Sequence, residues 1–218
     1  MRDDAEQPDP GFAELYGRLP DAVELEPWLG WAEEAEPPIL YLGVGAGRLA
    51  APLARRGIRL VGVDAHPGML QRLEARRLPI ELVQSRIEDL DLLPRRFDLE
   101  IAPSNILYSQ ARLRGAARHL EPGGRLAFEL TNPHWLFAGP GPSVRVIELS
   151  RERAWIEVEY EGHYRQQANF ELVWPEEIED WLAAAGLELV GLWGTGDGLD
   201  DSSSFRVLAR PAKTAPRR

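Results

Sequence analysis

Three glycines followed at a distance by an acid have the types and spacing of a nucleoside-binding site. Gly43, Gly45 and Gly47 occupy alternate positions, and Asp64 lies 21 residues after Gly43. Glycines let the backbone turn tightly and approach a ligand that a β-carbon would hold away. An acid at the tip of a strand can accept hydrogen bonds from both hydroxyls of a ribose. The pattern therefore favours a nucleoside site over a purely structural turn.

The elements around these residues are those that such a site needs. The apolar run Ile39–Leu42 predicts a buried strand that ends at the first glycine. A helical pattern follows the glycines and stops at Gly57, and residues 59–63 predict a second buried strand closed by Asp64. The sequence therefore predicts a strand, a glycine loop, a helix and a second strand that ends in an acid.

Two cofactor families fit this unit. Residues 45–50, Gly-Ala-Gly-Arg-Leu-Ala, match the G-x-G-x-x-G/A pattern of dinucleotide-binding proteins. The glycine spacing fits equally well the loop of class I S-adenosylmethionine-dependent methyltransferases, which the chain resembles. The rest of the chain decides between them.

Later segments favour the methyltransferase resemblance. Further strands are predicted at 80–83, 97–102 and 125–130, with helical patterns between them, which indicates a parallel sheet with helices on both faces. The run HLEPGGRLAFEL resembles the helix, turn and fifth strand of that family. The runs PEEIEDWLAAAGLELVGLWG and SSFRVLAR resemble its last helix and its sixth and seventh strands. A short-chain dehydrogenase would need a Tyr-x-x-x-Lys pair, but the single lysine is Lys213.

The resemblance implies an α/β fold over residues 38–210. The sheet would be Rossmann-like, doubly wound, mostly parallel and seven-stranded, with an antiparallel last strand, and the cofactor would be S-adenosylmethionine. Residues 144–173 interrupt the resemblance and read as a small antiparallel β meander. In the resembled family such an insertion roofs the acceptor pocket or joins two subunits, so a homodimer through it is one hypothesis. Residues 1–37 are interpreted as a tail and a helical lid, and 211–218 as a disordered tail.

Site residues follow from the resemblance position by position. The Gly43 and Ala102 carbonyls would accept hydrogen bonds from the ammonium group of the cofactor, and the Asp64 carboxylate would accept from the ribose hydroxyls. The Ile87 N–H would donate to an adenine ring nitrogen. Tyr16 would cover the cofactor from the lid. The full set expected around the cofactor is Tyr16, Tyr41, Gly43, Val44, Gly45, Gly47, Asp64, Ala65, Ile87, Glu88 and Ala102.

Two positions depart from the family pattern. Tyr41 and Arg86 stand where the family usually has acids, and arginine cannot accept a hydrogen bond from the adenine amine. Glu88 or Asp89 would replace Arg86 only if the loop shifts register. If the pocket is merely weakened, a carboxylate at 41 or 86 should tighten binding. If the two residues are instead adaptations, with Arg86 paired to Glu88 or to an anionic ligand group, both substitutions should weaken binding or destabilise the fold. The remaining alternatives are a modified cofactor and a catalytically degenerate protein that acts as a binding or interaction module.

Residues that follow the fourth and fifth strands are candidates for the acceptor side, because parallel sheets bind ligands outside the carboxyl ends of their strands. His134 and Tyr108 are the candidate catalytic residues, since a histidine of near-neutral pKa is a plausible base. Asn105, Trp135 and Tyr164 are the candidate substrate contacts. Methyl transfer from a sulfonium requires mainly in-line alignment and exclusion of water.

Composition narrows the class of partner. A net charge of −10 and a pI near 5.0 argue against nucleic acid, which needs a basic face. With no cysteine there is no disulfide and no thiolate metal site, and no metal is expected. No apolar run approaches the roughly 20 residues of a membrane span. The expectation is a cytoplasmic protein that acts on a small molecule.

Overall fold

The structure is a computed structural model that describes residues 9–160, 164–196, 198–199 and 201–213. Several features read from the sequence lie outside these residues. They are Glu161 and Gly162, which predict a turn in the meander, His163, which the pattern places in a strand, Asp197 and Asp200, which are interpreted as solvated loop residues, and most of both tails.

The described residues form ten strands and seven α-helices, and one 3₁₀ turn, Pro175–Glu177, precedes α7. The strands are β1 Ile39–Leu42, β2 Leu60–Asp64, β3 Ile80–Gln84, β4 Phe97–Ala102, β5 Leu120–Thr131, β6 Val144–Leu149, β7 Arg153–Tyr160, β8 Tyr164–Glu171, β9 Leu187–Gly194 and β10 Ser204–Pro211. The helices are α1 Pro10–Tyr16, α2 Trp28–Glu34, α3 Ala50–Arg55, α4 Pro67–Ala75, α5 Gln110–Ala117, α6 Pro133–Ala138 and α7 Ile178–Ala183.

Within the described part of the chain, seven strands form one sheet in the order β3-β2-β1-β4-β5-β10-β9. The pairs among β1 to β5 are parallel, whereas β10 is antiparallel to both β5 and β9. The predicted fold class, including the antiparallel last strand, is confirmed. Chain order reverses between β1 and β4, and this switch point is where open α/β sheets bind ligands.

Alternating side chains of the central strands pack into two apolar layers, one on each face of the sheet, as expected for a sheet covered on both faces. Leu40 and Leu42 of β1 point into a core with α5 and α7. Ile39 and Tyr41 point into an opposite core with α2, α3 and α4. All four β1 residues are buried. β1 is therefore fixed from both sides, and so is the point at which the glycine loop begins.

The predicted meander is confirmed as a separate sheet. β6, β7 and β8 pair antiparallel in that order. A third core joins this sheet to α6 through Ala154, Ile156, Phe170 and Leu136. Period-two alternation gives the sheet an inner and an outer face, and the inner face is the apolar one.

The N-terminal helix α1 packs on α4 and on the glycine loop. Phe12 and Ala13 lie in a small buried cluster with Ala46 and Met69. Asp9 caps α1 by accepting from the Gly11 N–H at 2.7 Å. No helix among the described residues is long and apolar enough to cross a membrane.

Candidate cofactor and acceptor site

One cavity of about 450 Å³ lies at the carboxyl ends of the parallel strands. Its walls come from the glycine loop, the end of β2, the loops after β3 and β4, helix α1 and the inner face of the meander. It contains nine residues predicted from the sequence, which are Tyr16, Gly43, Gly45, Asp64, Ala65, Ile87, Glu88, Asn105 and Tyr108.

Asp64 is tied to the glycine loop through the backbone. Its Oδ2 accepts from the Gly45 N–H at 2.8 Å, and its Oδ1 accepts from the His66 N–H at 2.8 Å. Burial raises the pKa of the Asp64 carboxyl above its usual value, and these two N–H groups oppose the rise. Each carboxylate oxygen has a further lone pair for a hydroxyl donor.

The loop geometry requires its glycines. Gly43, Gly45 and Gly47 have φ of +66°, +55° and +84°, a region that side chains with a β-carbon rarely occupy. At Gly45 an added β-carbon would also lie 3.6 Å from the Tyr16 ring. The Tyr16 ring of α1 therefore lies next to the glycine loop.

Four residues expected around the cofactor do not line the cavity. Val44 and Ala102 are buried beside it, and a β-carbon at Gly47 would meet Leu73 of α4. Tyr41 lies on the β1 face opposite Leu40, in a core with α3. Burial raises the pKa of Tyr41 far above its usual value, and the nearby Tyr16 and Asp64 add to the rise. These four residues are therefore not part of the cavity wall.

The loop after β3 forms the end of the cavity expected for adenine. Arg86 donates to Glu88 Oε1 from Nε at 3.0 Å and from a terminal nitrogen at 2.7 Å. Burial alone would raise the pKa of Glu88, but its own N–H and the guanidinium groups of Arg86 and Arg112 hold that pKa below its usual value. Asp89 is 70% exposed and is not part of the wall. Glu88, rather than Asp89, is therefore the acid at this end.

A close approach fixes that loop against α5. A β-carbon at Gly115 would overlap the Ile87 carbonyl oxygen. The buried His119 adds a second tie, since its Nε2 accepts from the Leu92 N–H at 3.1 Å and its Nδ1 lies 3.0 Å from the Gly115 oxygen. Burial lowers the pKa of His119, which is therefore neutral near pH 7.

Asn105 and Tyr108 stand at the other end of the cavity, after β4. Asn105 Oδ1 accepts from the Thr131 N–H at 3.0 Å. The Arg112 guanidinium lies 4.4 Å from the centre of the Tyr108 ring, and Phe170 of the meander lies 6.0 Å from it. The loop after β4 is thereby joined to both the adenine end and the roof.

His134, Trp135 and Tyr164 do not line the cavity. Asn132 caps α6 by accepting from the His134 N–H, and His134 Nε2 then lies 3.1 Å from Glu176 with its side chain 43% exposed. Trp135 packs in the meander core, and Tyr164 packs on Phe12 of the lid. The geometry does not support His134 as a base in this cavity.

Sequence reasoning did not identify the roof residues. The inner face of the meander contributes Ile156, Val158, Tyr160, Gln166, Ala168 and Phe170 to the cavity. Alternation along β7 was visible, but it could not show which face would meet the crevice. Phe12, His66 and Met69 were also missed as wall residues. No cluster of three or more potential metal ligands occurs among the described residues.

A family model described as a methyltransferase domain matches residues 39–124. The chain is 36% identical over 104 residues to the cypemycin N-terminal methyltransferase of a Streptomyces species, covering 44% of this chain and 42% of that protein. It is 32% identical over 146 residues to an uncharacterized methyltransferase of Synechocystis, covering 62% and 67%.

Solved structures share the fold. The CcbJ methyltransferase from Streptomyces caelestis superposes with a TM-score of 0.71 at 25% identity, over 92% of this chain and 96% of that one. Another methyltransferase of this fold, the glycopeptide N-methyltransferase MtfA, has been crystallised with S-adenosylmethionine and with S-adenosylhomocysteine. With the glycine loop and Asp64 lining one cavity, these similarities place the chain in the family of class I S-adenosylmethionine-dependent methyltransferases.

Proposed function

We propose that this protein transfers the methyl group of S-adenosylmethionine to a small, neutral acceptor held beneath the meander. One observation carries the proposal. A single cavity connects the glycine loop and Asp64 to the apolar inner face of β7 and β8. A nucleoside bound at one end and an acceptor at the other would share that space.

The walls fit the cofactor. The glycine loop offers backbone without β-carbons, and the Asp64 carboxylate offers two acceptor oxygens. Ile87 and Glu88 line the end where adenine would lie. The volume of about 450 Å³ falls within the range of roughly 300–1,000 Å³ typical of small-molecule sites.

The roof supports a neutral acceptor. Among the described residues of β7 and β8 that line the cavity, none is an aspartate, glutamate, lysine, arginine or histidine, and Ile156, Val158 and Ala168 are apolar. The oxygens of Asn105 and Gln166 accept from the Thr131 N–H and the Tyr160 O–H, each at 3.0 Å. The amide nitrogens of Asn105 and Gln166 can then donate to a carbonyl or ether oxygen of the acceptor.

A nitrogen acceptor agrees best with these walls. A neutral amine attacks without prior loss of a proton, whereas a phenol or alcohol needs a general base. The histidine expected as that base, His134, lies outside the cavity and pairs with Glu176. His66 lies in the wall, but its Nδ1 accepts from the Gly68 N–H at 3.1 Å and its Nε2 lies 3.0 Å from the Asp9 oxygen, so both ring nitrogens are engaged. The similarity to a protein named as an N-terminal methyltransferase is consistent with attack through nitrogen.

The chain itself has modest chemical tasks. The cofactor supplies a methyl group already activated by its sulfonium. The glycine loop and Asp64 hold the donor, while Asn105, Gln166 and the apolar roof orient the acceptor. Phe12 and Tyr16 of α1 close the side of the cavity, and the exclusion of water favours the transfer.

Calorimetric titration with S-adenosylmethionine, S-adenosylhomocysteine and NAD tests the donor half of the proposal. We expect the first two to bind and NAD not to bind. Asp64→Asn should weaken S-adenosylhomocysteine by about 1.5–3 kcal/mol, because charge-assisted hydrogen bonds are lost. Asp91→Asn, in a surface loop outside the cavity, is the control. If the folded Asp64→Asn variant binds S-adenosylhomocysteine as tightly as the wild type, Asp64 does not contact the cofactor.

Blocking the roof tests the acceptor half. Ala168→Trp should fill the space beneath the meander and abolish methyl transfer to a panel of neutral amines, yet leave S-adenosylhomocysteine binding largely intact. Arg165→Trp on the outer face of the same strand should leave both unchanged. If the Ala168 variant retains transfer, or if no amine of the panel is methylated by the wild type while phenols are, the proposed acceptor class is wrong.

A further inference from the structure

An arginine at the end of α4 holds the outer side of the glycine loop. Arg76 donates from one terminal nitrogen to the Ala46 oxygen at 3.2 Å and to the Gly47 oxygen at 3.1 Å. Its other terminal nitrogen donates to both carboxylate oxygens of Asp21, at 2.6 Å and 2.7 Å. Neither Arg76 nor Asp21 lines the cavity.

Asp21 belongs to the segment between α1 and α2, and that segment is fastened to the same loop. The Ala22 N–H donates to the Arg48 oxygen at 2.9 Å, and Arg48 Nε donates to the Pro20 oxygen at 2.9 Å. Arg55 of α3 gives Asp21 a second guanidinium at 2.8 Å. Four parts of the chain therefore meet behind the loop, namely the N-terminal segment, the loop itself, α3 and α4.

A loop of this kind needs external support. Glycines at positive φ lose much backbone freedom on ordering, and outward-facing carbonyls need donors. A guanidinium suits this role because its rigid planar group donates in several directions at once. Burial alone would raise the pKa of Asp21, but its hydrogen bonds from Arg76 and Arg55 hold that pKa below its usual value, so Asp21 is ionised near neutral pH.

We propose that Arg76 and Asp21 act as a clamp that holds the glycine loop in its cofactor-binding geometry and balances charge behind it. Both are positioning residues, because they act through the loop. The identity of the ligand in this inference rests on the proposed function, whereas the effect of the clamp on the loop does not. The charge balance gives the clamp a second signature, because the sulfonium of S-adenosylmethionine is positive and the thioether of S-adenosylhomocysteine is neutral.

The loop is tested first without cofactor. Arg76→Gln should speed amide hydrogen exchange in residues 43–48 relative to the rest of the sheet. Arg55→Gln removes the other partner of Asp21 but no contact to the loop, so it should leave exchange there unchanged. Arg76→Lys should fall between wild type and Arg76→Gln. Unchanged exchange in folded Arg76→Gln would overturn the clamp, whether or not the wild type binds S-adenosylmethionine.

Calorimetry then tests the link to the ligand. Arg76→Gln should weaken S-adenosylhomocysteine by about tenfold, the effect of one charged hydrogen-bonding group. Arg55→Gln should change affinity less than about twofold, within the range of a surface ion pair. Asp21→Asn should weaken S-adenosylmethionine more than S-adenosylhomocysteine, since it leaves two guanidinium groups unbalanced. If Asp21→Asn weakens both ligands equally, Asp21 does not balance the charge of the sulfonium. If Arg76→Gln leaves affinity unchanged, the clamp does not contribute to cofactor binding. A wild type that binds neither ligand would contradict the proposed function instead.

Discussion

The Asp64 carboxylate accepts a hydrogen bond from the Gly45 N–H at 2.8 Å, although 19 residues separate the two in the chain. This contact joins the tip of β2 to the loop after β1. The acid that would hold the ribose therefore also fixes the loop that would approach the methionyl part. Ionisation of Asp64 consequently bears on both ends of the donor site.

The pH dependence of cofactor affinity follows from the raised pKa of Asp64. Ribose hydroxyls donate best to the ionised carboxylate, so affinity for S-adenosylhomocysteine should fall as pH drops below that pKa, by up to about tenfold per pH unit. Because burial raises the pKa, the loss should begin at a higher pH than for an exposed aspartate. Calorimetry from pH 4 to pH 8 on wild type and Asp64→Asn measures this. If wild type and Asp64→Asn lose affinity over the same acidic pH range, a group other than Asp64 causes the loss.

A carboxylate at position 41 should destabilise the fold, whereas a merely weakened pocket would predict tighter binding. Tyr41 is 5% exposed and packs in the core with α3, so Tyr41→Asp would bury an unpaired charge. We expect a loss of at least about 3 kcal/mol in the free energy of unfolding. Urea unfolding measures the loss, with Tyr41→Phe as the control that keeps the volume. Tighter S-adenosylhomocysteine binding by a stable Tyr41→Asp protein would instead support the hypothesis of a merely weakened pocket.

Arg86→Asp should also weaken the site. Arg86 neutralises Glu88 through two hydrogen bonds, and the substitution would place a second carboxylate beside it. We expect a several-fold loss of S-adenosylhomocysteine affinity, about 1 kcal/mol, because Arg86 is partly exposed. Arg86→Gln removes the charge without reversing it and should cost less. An increase in affinity for the Asp variant would show that the arginine only weakens the pocket.

Glu100 gives a prediction on stability. It lies at the centre of β4 between Leu40 and Leu126, is completely buried, and neither carboxylate oxygen has a hydrogen-bond partner among the described residues. Burial raises its pKa well above the usual value of 4.5. The folded state therefore binds the proton more tightly than the unfolded state, so stability falls as pH rises from 4.5 through the raised pKa.

Glu100→Leu should accordingly raise the free energy of unfolding by about 1–3 kcal/mol near pH 8 and by less near pH 5. Glu100→Gln keeps an unpaired polar group and should remove only the pH-dependent part. Urea unfolding at both pH values separates the two effects. Greater stability of the wild type at pH 8 would imply a function or a partner for this carboxylate.

Gly115→Ala should impair cofactor binding from outside the cavity. The new β-carbon would overlap the Ile87 carbonyl oxygen, so the adenine-end loop would have to move away from α5. We expect S-adenosylhomocysteine affinity to fall at least about fivefold, with a stability loss of about 1–3 kcal/mol from overpacking. Gly123→Ala, where an added β-carbon meets nothing within 4 Å, is the control. Wild-type affinity in Gly115→Ala would mean that the loop position does not matter for binding.

Local patterns were sufficient to bring the glycine loop and Asp64 together at one cavity and insufficient to identify the residues of its roof. The glycine loop and Asp64 are set by adjacent strands whose geometry is fixed, so spacing along the chain translates into position. His134 shows the limit, because the cap at Asn132 starts α6 and places the imidazole beside Glu176. Tyr41 shows another, since only the packing of α3 determines what lies over that face of β1. The inner face of the meander depends on how a separate sheet docks, which its own alternation does not encode.

The most direct test of the account is a crystal structure of the protein with S-adenosylhomocysteine. We predict that the ribose hydroxyls will lie within hydrogen-bonding distance of the Asp64 carboxylate and that the sulfur will face the cavity beneath Ile156 and Ala168. A nucleoside bound away from Asp64, or a sulfur turned away from the inner face of the meander, would contradict the proposed donor and acceptor ends.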